Sequence, residues 1–225
     1  MDKLSKDELM LLAIEFDLPD LLRFCQSSKR INDKICKQDA IWYYKLNKEY
    51  SLENRKYFKQ KTPKLTYTLL YKLTQLVHFL EKLPQLKKYT LIELYNLKEL
   101  ELSYNFLTTI PKELGNLVNL RELNLINNRL TSIPKELGNL SNLQHLYLSN
   151  NFLTTIPKEL SNLVNLRDLF LSKNKLTTIP NSLGNLVNLQ YLHLDNNLLT
   201  TIPKEIFDNI IVNLQELNLD LIKYI

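Results

Sequence analysis

The chain has few of the residues that build disulfide-rich or membrane-spanning proteins. Its 225 residues include two cysteines, three glycines and one tryptophan, and no apolar run approaches the about 18 residues that a membrane-spanning helix needs. The first residues mix both charges, so neither a signal peptide nor a transmembrane helix is expected. With 44% hydrophobic residues the chain can close a core without disulfides or metals. We therefore expect a folded protein of the cytoplasm or nucleus.

The two cysteines, Cys25 and Cys36, both lie in one amphipathic stretch near the start of the chain. A secreted disulfide scaffold uses more cysteines and spaces them differently. Free cysteine is among the residues most often buried in protein cores. We therefore predict that both cysteines are reduced core thiols.

Leucines recur with a fixed period through the second part of the chain. They open copies of the pattern L-x-x-L-x-L-x-x-N-x-L-T-x-I-P-x-x-L-x-N-L-x-N. In each copy the L-x-L core alternates buried and exposed positions, which predicts a strand of three or four residues. No single copy can bury its own leucines, so the copies must stack into a curved solenoid with a parallel sheet on its concave side. The copies open 23 residues apart at Leu97, Leu120, Leu143, Leu166 and Leu189, and a sixth copy opens 25 residues further on at Leu214.

One asparagine follows each of the first five predicted strands, and Ile222 stands at this position in the sixth copy. Its short amide can bond to backbone groups of a turn, and stacked copies would align these amides into a ladder. We expect this structural role for Asn105, Asn128, Asn151, Asn174 and Asn197.

This pattern resembles the leucine-rich-repeat family in its 23-residue form, and the resemblance covers residues 97–221. It implies an α/β horseshoe whose short strands form a parallel sheet on the concave face. We place this solenoid at 91–225, after a helical domain at 1–46 and a basic helical connector and cap at 47–90.

Positions that point outward from the strands vary between copies, whereas the inward leucines hardly vary. One outward column reads Glu101, Asn124, Tyr147, Phe170, His193, Asn218, and the column before it reads Glu99, Glu122, His145, Asp168, Tyr191, Glu216. Large aromatic side chains on a rigid sheet are the type that anchors protein interfaces; the alternative is that they merely suit strands. We predict that a protein partner binds at Tyr104, Asn124, Tyr147, Phe170, Tyr191 and His193.

The sequence of residues 4–46 contains D-L-P-D-L-L-x-F-C-x-x-S-K-R-I-N and has D-x-I-W near its close. In these elements it resembles the F-box. The resemblance implies docking to a Skp-type adaptor of a cullin-RING ubiquitin ligase. The family usually begins with Leu-Pro, where this chain has Leu4-Ser5. In the alternative interpretation the matching residues are only the core of a helical cap. The adaptor contacts implied by the resemblance are Leu4, Leu9, Leu18, Pro19, Leu22, Ile31 and Trp42.

Positive charge is concentrated at the front. Residues 1–90 carry 18 Lys and Arg against 11 Asp and Glu, and the remainder carries 11 against 13. Basic residues interleaved with aromatics can indicate nucleic-acid binding. The helical spacing of the apolar residues in 65–83 favours instead a solvated face of connecting helices.

No nucleophile paired with a base, glycine-rich phosphate loop or metal-ligand cluster is recognisable. We therefore predict no catalytic residue, no metal and no cofactor, and an interaction protein rather than an enzyme. The favoured hypothesis is a substrate-recognition subunit of a ubiquitin ligase, and the alternative is a ubiquitin-independent scaffold or decoy that binds a signalling protein. The richness in Lys, Asn and Ile resembles proteins of giant viruses of amoebae.

Overall fold

The structure, a computed structural model, describes residues 5–60, 62–83, 88–210 and 213–219. The chain divides into two compact units, Met1–Gln75 and Leu76–Ile225. The boundary falls within the segment that the sequence assigned to the connector. Among the described residues, no helix is both long enough and apolar enough to cross a membrane, and no three potential metal ligands come together.

The first unit is helical. Three of its helices begin at a side-chain cap: Asp17, Ser28 and Ser51 each accept a hydrogen bond from a backbone N–H of the following turn, which satisfies donors that the helix itself leaves free. The helices are α1 (Lys6–Glu15), α2 (Leu18–Gln26), α3 (Lys29–Ile31) with a following π-helical turn (Asn32–Cys36), α4 (Asp39–Glu49), α5 (Leu52–Tyr57) and α6 (Pro63–Leu80), which continues past the boundary of the unit.

The core of the first unit contains a polar network among aromatic rings. Trp42 is buried and donates from Nε1 to the Cys36 carbonyl at 2.9 Å. The Tyr67 hydroxyl donates to Glu49 at 2.7 Å, and the buried Lys45 ammonium lies 3.0 Å from the other oxygen of that carboxylate. Burial and the neighbouring Glu49 carboxylate raise the pKa of Tyr67 far above its usual value. A buried lysine is thereby paired rather than isolated.

The prediction of reduced thiols was wrong. Cys25 and Cys36 form a disulfide, with 5.8 Å between their Cα atoms. Both side chains are buried, as expected. The chain reverses between α2 and the π-helical turn, so two cysteines that are distant along a helical stretch become neighbours, within the range of Cα separations that a disulfide spans.

The second unit is a stack of repeats. Its six strands have three residues each and form one parallel sheet in chain order. The strands are β1 (Glu99–Glu101), β2 (Glu122–Asn124), β3 (His145–Tyr147), β4 (Asp168–Phe170), β5 (Tyr191–His193) and β6 (Glu216–Asn218). Helix α7 (Leu91–Tyr95) precedes the sheet, and the strands are connected through 3₁₀ turns at Lys112–Asn116, Lys135–Asn139, Lys158–Asn162 and Asn181–Asn185 and through α8 (Lys204–Asn209).

The repeat leucines fill the core between these layers. In the third repeat, for example, Leu143, Leu146, Leu148 and Leu153 have no exposed surface. At about 1.5 to 3 kcal/mol for each fully buried aliphatic side chain, contacts between repeats hold the stack together.

The ladder asparagines link each repeat to the preceding one. The Asn151 amide donates to the carbonyls of Leu125 and Leu148 and accepts from the Leu130 N–H, each at 2.9 to 3.0 Å. Asn128, Asn174 and Asn197 repeat this geometry. At the front of the stack, Asn105 donates to Ser103, and its buried Oδ1 has no hydrogen-bond partner in the described part of the chain.

A second series of asparagines joins the repeats on the approach to each strand. Asn142, for example, donates to the Val118 carbonyl at 2.8 Å. The first member, Asn119, donates to Tyr95 at the end of α7, so α7 provides the acceptor that a preceding repeat would provide. This series is Asn119, Asn142, Asn165, Asn188 and Asn213.

Candidate functional site

The outward side chains of the six strands form two rows, which together we call the strand face. Strand pairing aligns the first row as Glu99, Glu122, His145, Asp168, Tyr191, Glu216. It aligns the second row as Glu101, Asn124, Tyr147, Phe170, His193, Asn218. The structure therefore confirms both predicted columns, because the register follows the repeat.

An aromatic cluster occupies the middle of the second row. The rings of Phe170 and His193 are stacked, with centroids 4.1 Å apart and planes 5° from parallel. Tyr147 packs on the other side of Phe170 at 5.1 Å, and His145 of the first row stacks near Tyr147 at 6.3 Å. These side chains are half-buried because each ring covers its neighbour. The part of each ring that remains exposed therefore belongs to one continuous aromatic surface.

Asp168 fixes one end of this cluster. Its Oδ2 lies 2.6 Å from His145 Nδ1 and also accepts a hydrogen bond from the Tyr147 hydroxyl at 3.4 Å. Partial burial and the nearby carboxylates of Asp168 and Glu122 raise the pKa of Tyr147 to about 12. Tyr147 is therefore a neutral hydrogen-bond donor throughout the physiological pH range.

His193 has an unused polar atom. Its Nε2 is buried and without a hydrogen-bond partner among the described residues, although a Glu216 carboxylate oxygen lies 3.5 Å away. A buried polar atom without a partner is costly. Two residues after His193, the Asp195 carboxylate accepts hydrogen bonds from Ser172 and Asn196. Burial acts to raise the pKa of Asp195, but these hydrogen bonds outweigh it and hold the pKa below its usual value.

The other predicted partner-binding residues lie around this cluster. Asn124 donates to Glu101 at 2.8 Å, and the Tyr191 hydroxyl donates to Gln215 rather than joining the ring cluster. Tyr104 lies beyond the end of β1 with a positive φ of 57° and is 70% exposed, so it is outside both rows. Of the predicted set, Tyr147, Phe170 and His193 form the cluster, whereas Asn124 and Tyr191 lie in the rows outside it and Tyr104 lies outside both rows.

Negative charge dominates the strand face. Its two rows contain five carboxylates and no lysine or arginine. Glu99 and Glu122 are register partners on adjacent strands, and Glu101 follows in the next row. Among the described residues, the ion pairs on this face are the two histidine contacts, His145–Asp168 and His193–Glu216. Like charges directly opposite one another in a sheet are destabilising.

Sequence reasoning missed a second exposed series at the position after each ladder asparagine. Arg129 lies over the Phe106 ring at 5.0 Å, and Lys175 lies over the Phe152 ring at 4.9 Å. Phe106 and Phe152 are 68% and 45% exposed. In the first four members of this series, aromatic and cationic residues alternate, and this alternation is visible in the aligned repeats. We call the series the loop ridge, and its members are Phe106, Arg129, Phe152, Lys175 and Leu198.

Most of the residues predicted to contact an adaptor lie inside the first unit. Four of them are between 0% and 4% exposed: Leu9, Leu18, Ile31 and Trp42. Pro19 is exposed and Leu22 is half-buried, and Leu4 lies outside the described residues. The buried four stabilise the unit and cannot touch a partner without unfolding. Exposed apolar side chains in the same unit include Leu11 and Leu12 on α1.

Comparisons with known proteins identify the repeats. Models of the leucine-rich-repeat family match residues 95–139, 118–176 and 141–199. Curated proteins gave no match.

Solved structures of repeat proteins are similar to part of the chain. A leucine-rich-repeat protein of Leptospira interrogans is 37% identical over 61% of this chain and 41% of its own, with a TM-score of 0.48. A TDR receptor is 38% identical over 54% of this chain, with a TM-score of 0.50, and the match spans 22% of the receptor. The BIR2 ectodomain of Arabidopsis thaliana is 32% identical over 54% of this chain and 68% of its own, with a TM-score of 0.44.

This chain thus spans less than half the length of the first two of these proteins. The family matches, the strand register and the asparagine ladder coincide in one segment. Residues 95–199 therefore consist of leucine-rich repeats, which are modules for protein–protein interaction.

Proposed function

We propose that this chain is a recognition protein that binds one target protein on its strand face. The observation that carries the proposal is the stacked cluster of Tyr147, Phe170 and His193, which lies on a sheet built by the repeats. Aromatic side chains held rigidly lose little conformational entropy on binding, and residues of this type provide most of the binding energy in protein interfaces. The six strands span about 24 Å, enough for a helix or an extended segment of a target.

The experiment is capture of a target from cell extract by the purified chain and by a Tyr147→Ala/Phe170→Ala variant. The matched control is Phe106→Ala/Phe152→Ala, which removes two exposed aromatic side chains from the loop ridge of the same stack. We expect the strand-face variant to lose the target and the control to retain it, with both variants folded by circular dichroism. Equal capture by the two variants would refute binding at the strand face.

A more specific hypothesis is that the first unit docks to a Skp-type adaptor, which would make the chain the target-recognition subunit of a cullin-RING ubiquitin ligase. Its support is the F-box resemblance of residues 4–46, together with the exposed Pro19 and half-buried Leu22. Such a ligase works in the cytoplasm or nucleus. For a viral protein, this would be the cytoplasm or nucleus of the host cell. Disulfides are rare there, so the Cys25–Cys36 bond counts against this hypothesis.

Binding of the chain to a purified Skp-type adaptor tests this hypothesis. The appropriate variant is Pro19→Ser/Leu22→Ser, since substitutions of the buried Leu18 or Trp42 would damage the fold. Leu52→Ser, at a side chain that is 56% exposed on α5, is the control. We expect the double variant alone to lose the adaptor. If the intact chain does not bind the adaptor, the first unit serves another purpose and the chain is a ubiquitin-independent scaffold.

A further inference from the structure

The strand face and its borders differ sharply in charge. The chain as a whole has a net charge of +5, yet the strand face has five carboxylates and no lysine or arginine. Cationic residues lie outside it, directly before the strands at Arg121 and Arg167 and beyond the strands on the loop ridge at Arg129 and Lys175. An acidic strip thus lies between segments that carry cationic residues.

The strongest concentration of negative charge is at β1 and β2. Glu99, Glu101 and Glu122 are neighbours there, and the Glu99–Glu122 pair is directly in register. Asn124 donates to Glu101, but no lysine or arginine forms an ion pair with any of the three within the described chain. Their mutual repulsion costs free energy in the unbound protein. A cationic ligand would relieve this repulsion on binding.

The neighbouring strands provide a different kind of contact. Tyr147 on β3 and Phe170 on β4 present their half-buried rings. Beside them, the buried Nε2 of His193 lacks a hydrogen-bond partner in the described residues. An apolar side chain suits the rings, and a polar group beside it suits the free nitrogen. The acidic and the aromatic areas are two strands apart, about 10 Å.

We propose that the target presents a basic segment to the strand face, with lysine or arginine at the β1–β2 carboxylates and an apolar side chain on the Tyr147–Phe170 rings. An extended chain rises about 3.3 Å per residue and points alternate side chains to the same face, so the two kinds of side chain are two or four residues apart in the segment. This inference rests on the strand face being the binding site. It specifies the chemistry of the target, which the proposed function leaves open.

Selection from displayed random peptides of about ten residues tests the inference, because a peptide of this length can cross the whole sheet. The peptides are selected on the full chain and counter-selected on the Tyr147→Ala/Phe170→Ala variant. We expect the surviving peptides to be enriched in lysine and arginine, two or four residues from an aliphatic or aromatic residue. Survivors that are acidic or uncharged would overturn the basic segment and leave the strand face as the binding site. Failure to obtain any peptide that depends on Tyr147 and Phe170 would overturn the binding site as well.

Charge variants then separate specific contact from general attraction. Glu99→Gln/Glu101→Gln/Glu122→Gln should lower the affinity for a selected peptide about tenfold or more, since the variant loses the charge pairs with the peptide's basic side chains. Glu113→Gln/Glu136→Gln/Glu159→Gln makes the same change in net charge on the 3₁₀ turns and should leave affinity unchanged. Equal weakening by both triple variants would show attraction to overall charge and would refute contact at β1–β2.

Discussion

Asparagine has two roles at the residue scale, and burial separates them. Asn151 is 4% exposed and satisfies three buried backbone groups in two repeats. Asn142 is exposed and makes one bond of the second series. Water can replace the amide at the exposed position but not at the buried one.

Asn151→Ala should therefore lower the free energy of unfolding by about 3 kcal/mol or more, because it leaves one buried N–H and two buried carbonyls short of a partner. Asn142→Ala should cost no more than about 1 kcal/mol. Urea denaturation followed by circular dichroism measures both. A similar cost for the two variants would contradict the distinction between a buried and an exposed ladder.

Tyr147 makes the strand face sensitive to alkali. Its pKa is raised to about 12 from an ordinary value of 10. The folded state thus resists ionisation of this phenol more than the unfolded state does. Its contribution to stability is complete below pH 10 and is lost as the pH rises toward 12.

Tyr147→Phe should lose less stability than the parent between pH 9 and 11, because only the parent loses part of the Tyr147 contribution over this range. The comparison is of urea midpoints at the two pH values. Tyr104→Phe, at a hydroxyl on a side chain that is 70% exposed, is the control and should follow the parent. A Tyr147→Phe profile parallel to that of the parent would show that the phenol ionises no later in the folded chain.

At the scale of elements, glycine allows neighbouring 3₁₀ turns to approach closely. A Cβ added to Gly138 would overlap the carbonyl oxygen of Glu159 in the next turn. Gly115 and Gly184 meet Glu136 and Glu205 in the same way. Ser161 stands at the equivalent position of the third repeat, so that repeat already accommodates a side chain.

Gly138→Ala should cost about 1 to 3 kcal/mol, the usual range for overpacking. Ser161→Ala, which adds no atom at Cβ, is the matched control and should change stability by less than about 0.5 kcal/mol. Thermal denaturation of the two variants distinguishes them. An unchanged melting temperature for Gly138→Ala would mean that the turns separate without cost.

The sequence predicted the strands and their register because one pattern repeats. Once Leu100 and Leu123 are assigned inward, Glu101 and Asn124 must share an outward row. No such constraint applied to the first unit. There the same apolar residues serve as core or contact surface depending on how the helices pack, and that packing placed Leu9 and Trp42 inside. The disulfide was missed for the same reason, since it depends on the reversal of the chain between two helices.

At the scale of the whole molecule, the two units are stabilised differently. The first has a covalent link and a polar aromatic core, and the second has a repeated apolar core and asparagine ladders. Trp42 is the only tryptophan of the sequence and lies in the core of the first unit. Its fluorescence therefore reports the unfolding of that unit alone.

Reduction of Cys25–Cys36 should destabilise the first unit by about 3 kcal/mol, the loop-closure value for a separation of 11 residues. The fluorescence transition in urea should move to lower concentration in the reducing buffer. The part of the circular dichroism transition that the repeats contribute should remain where it was. A common shift of both signals would indicate that the two units unfold together.

Because every strand pair has the same register, whole repeats can be removed or duplicated without changing the packing of the core. Removing residues 120–142 would delete one complete period and bring the third repeat against the first, with every leucine still facing a leucine. Glu101 would then stand beside Tyr147, an adjacency that the present chain does not contain. Duplication or loss of whole repeats can therefore produce new combinations of surface residues while the interior stays the same, so specificity in such a chain can change by recombination as well as by point mutation.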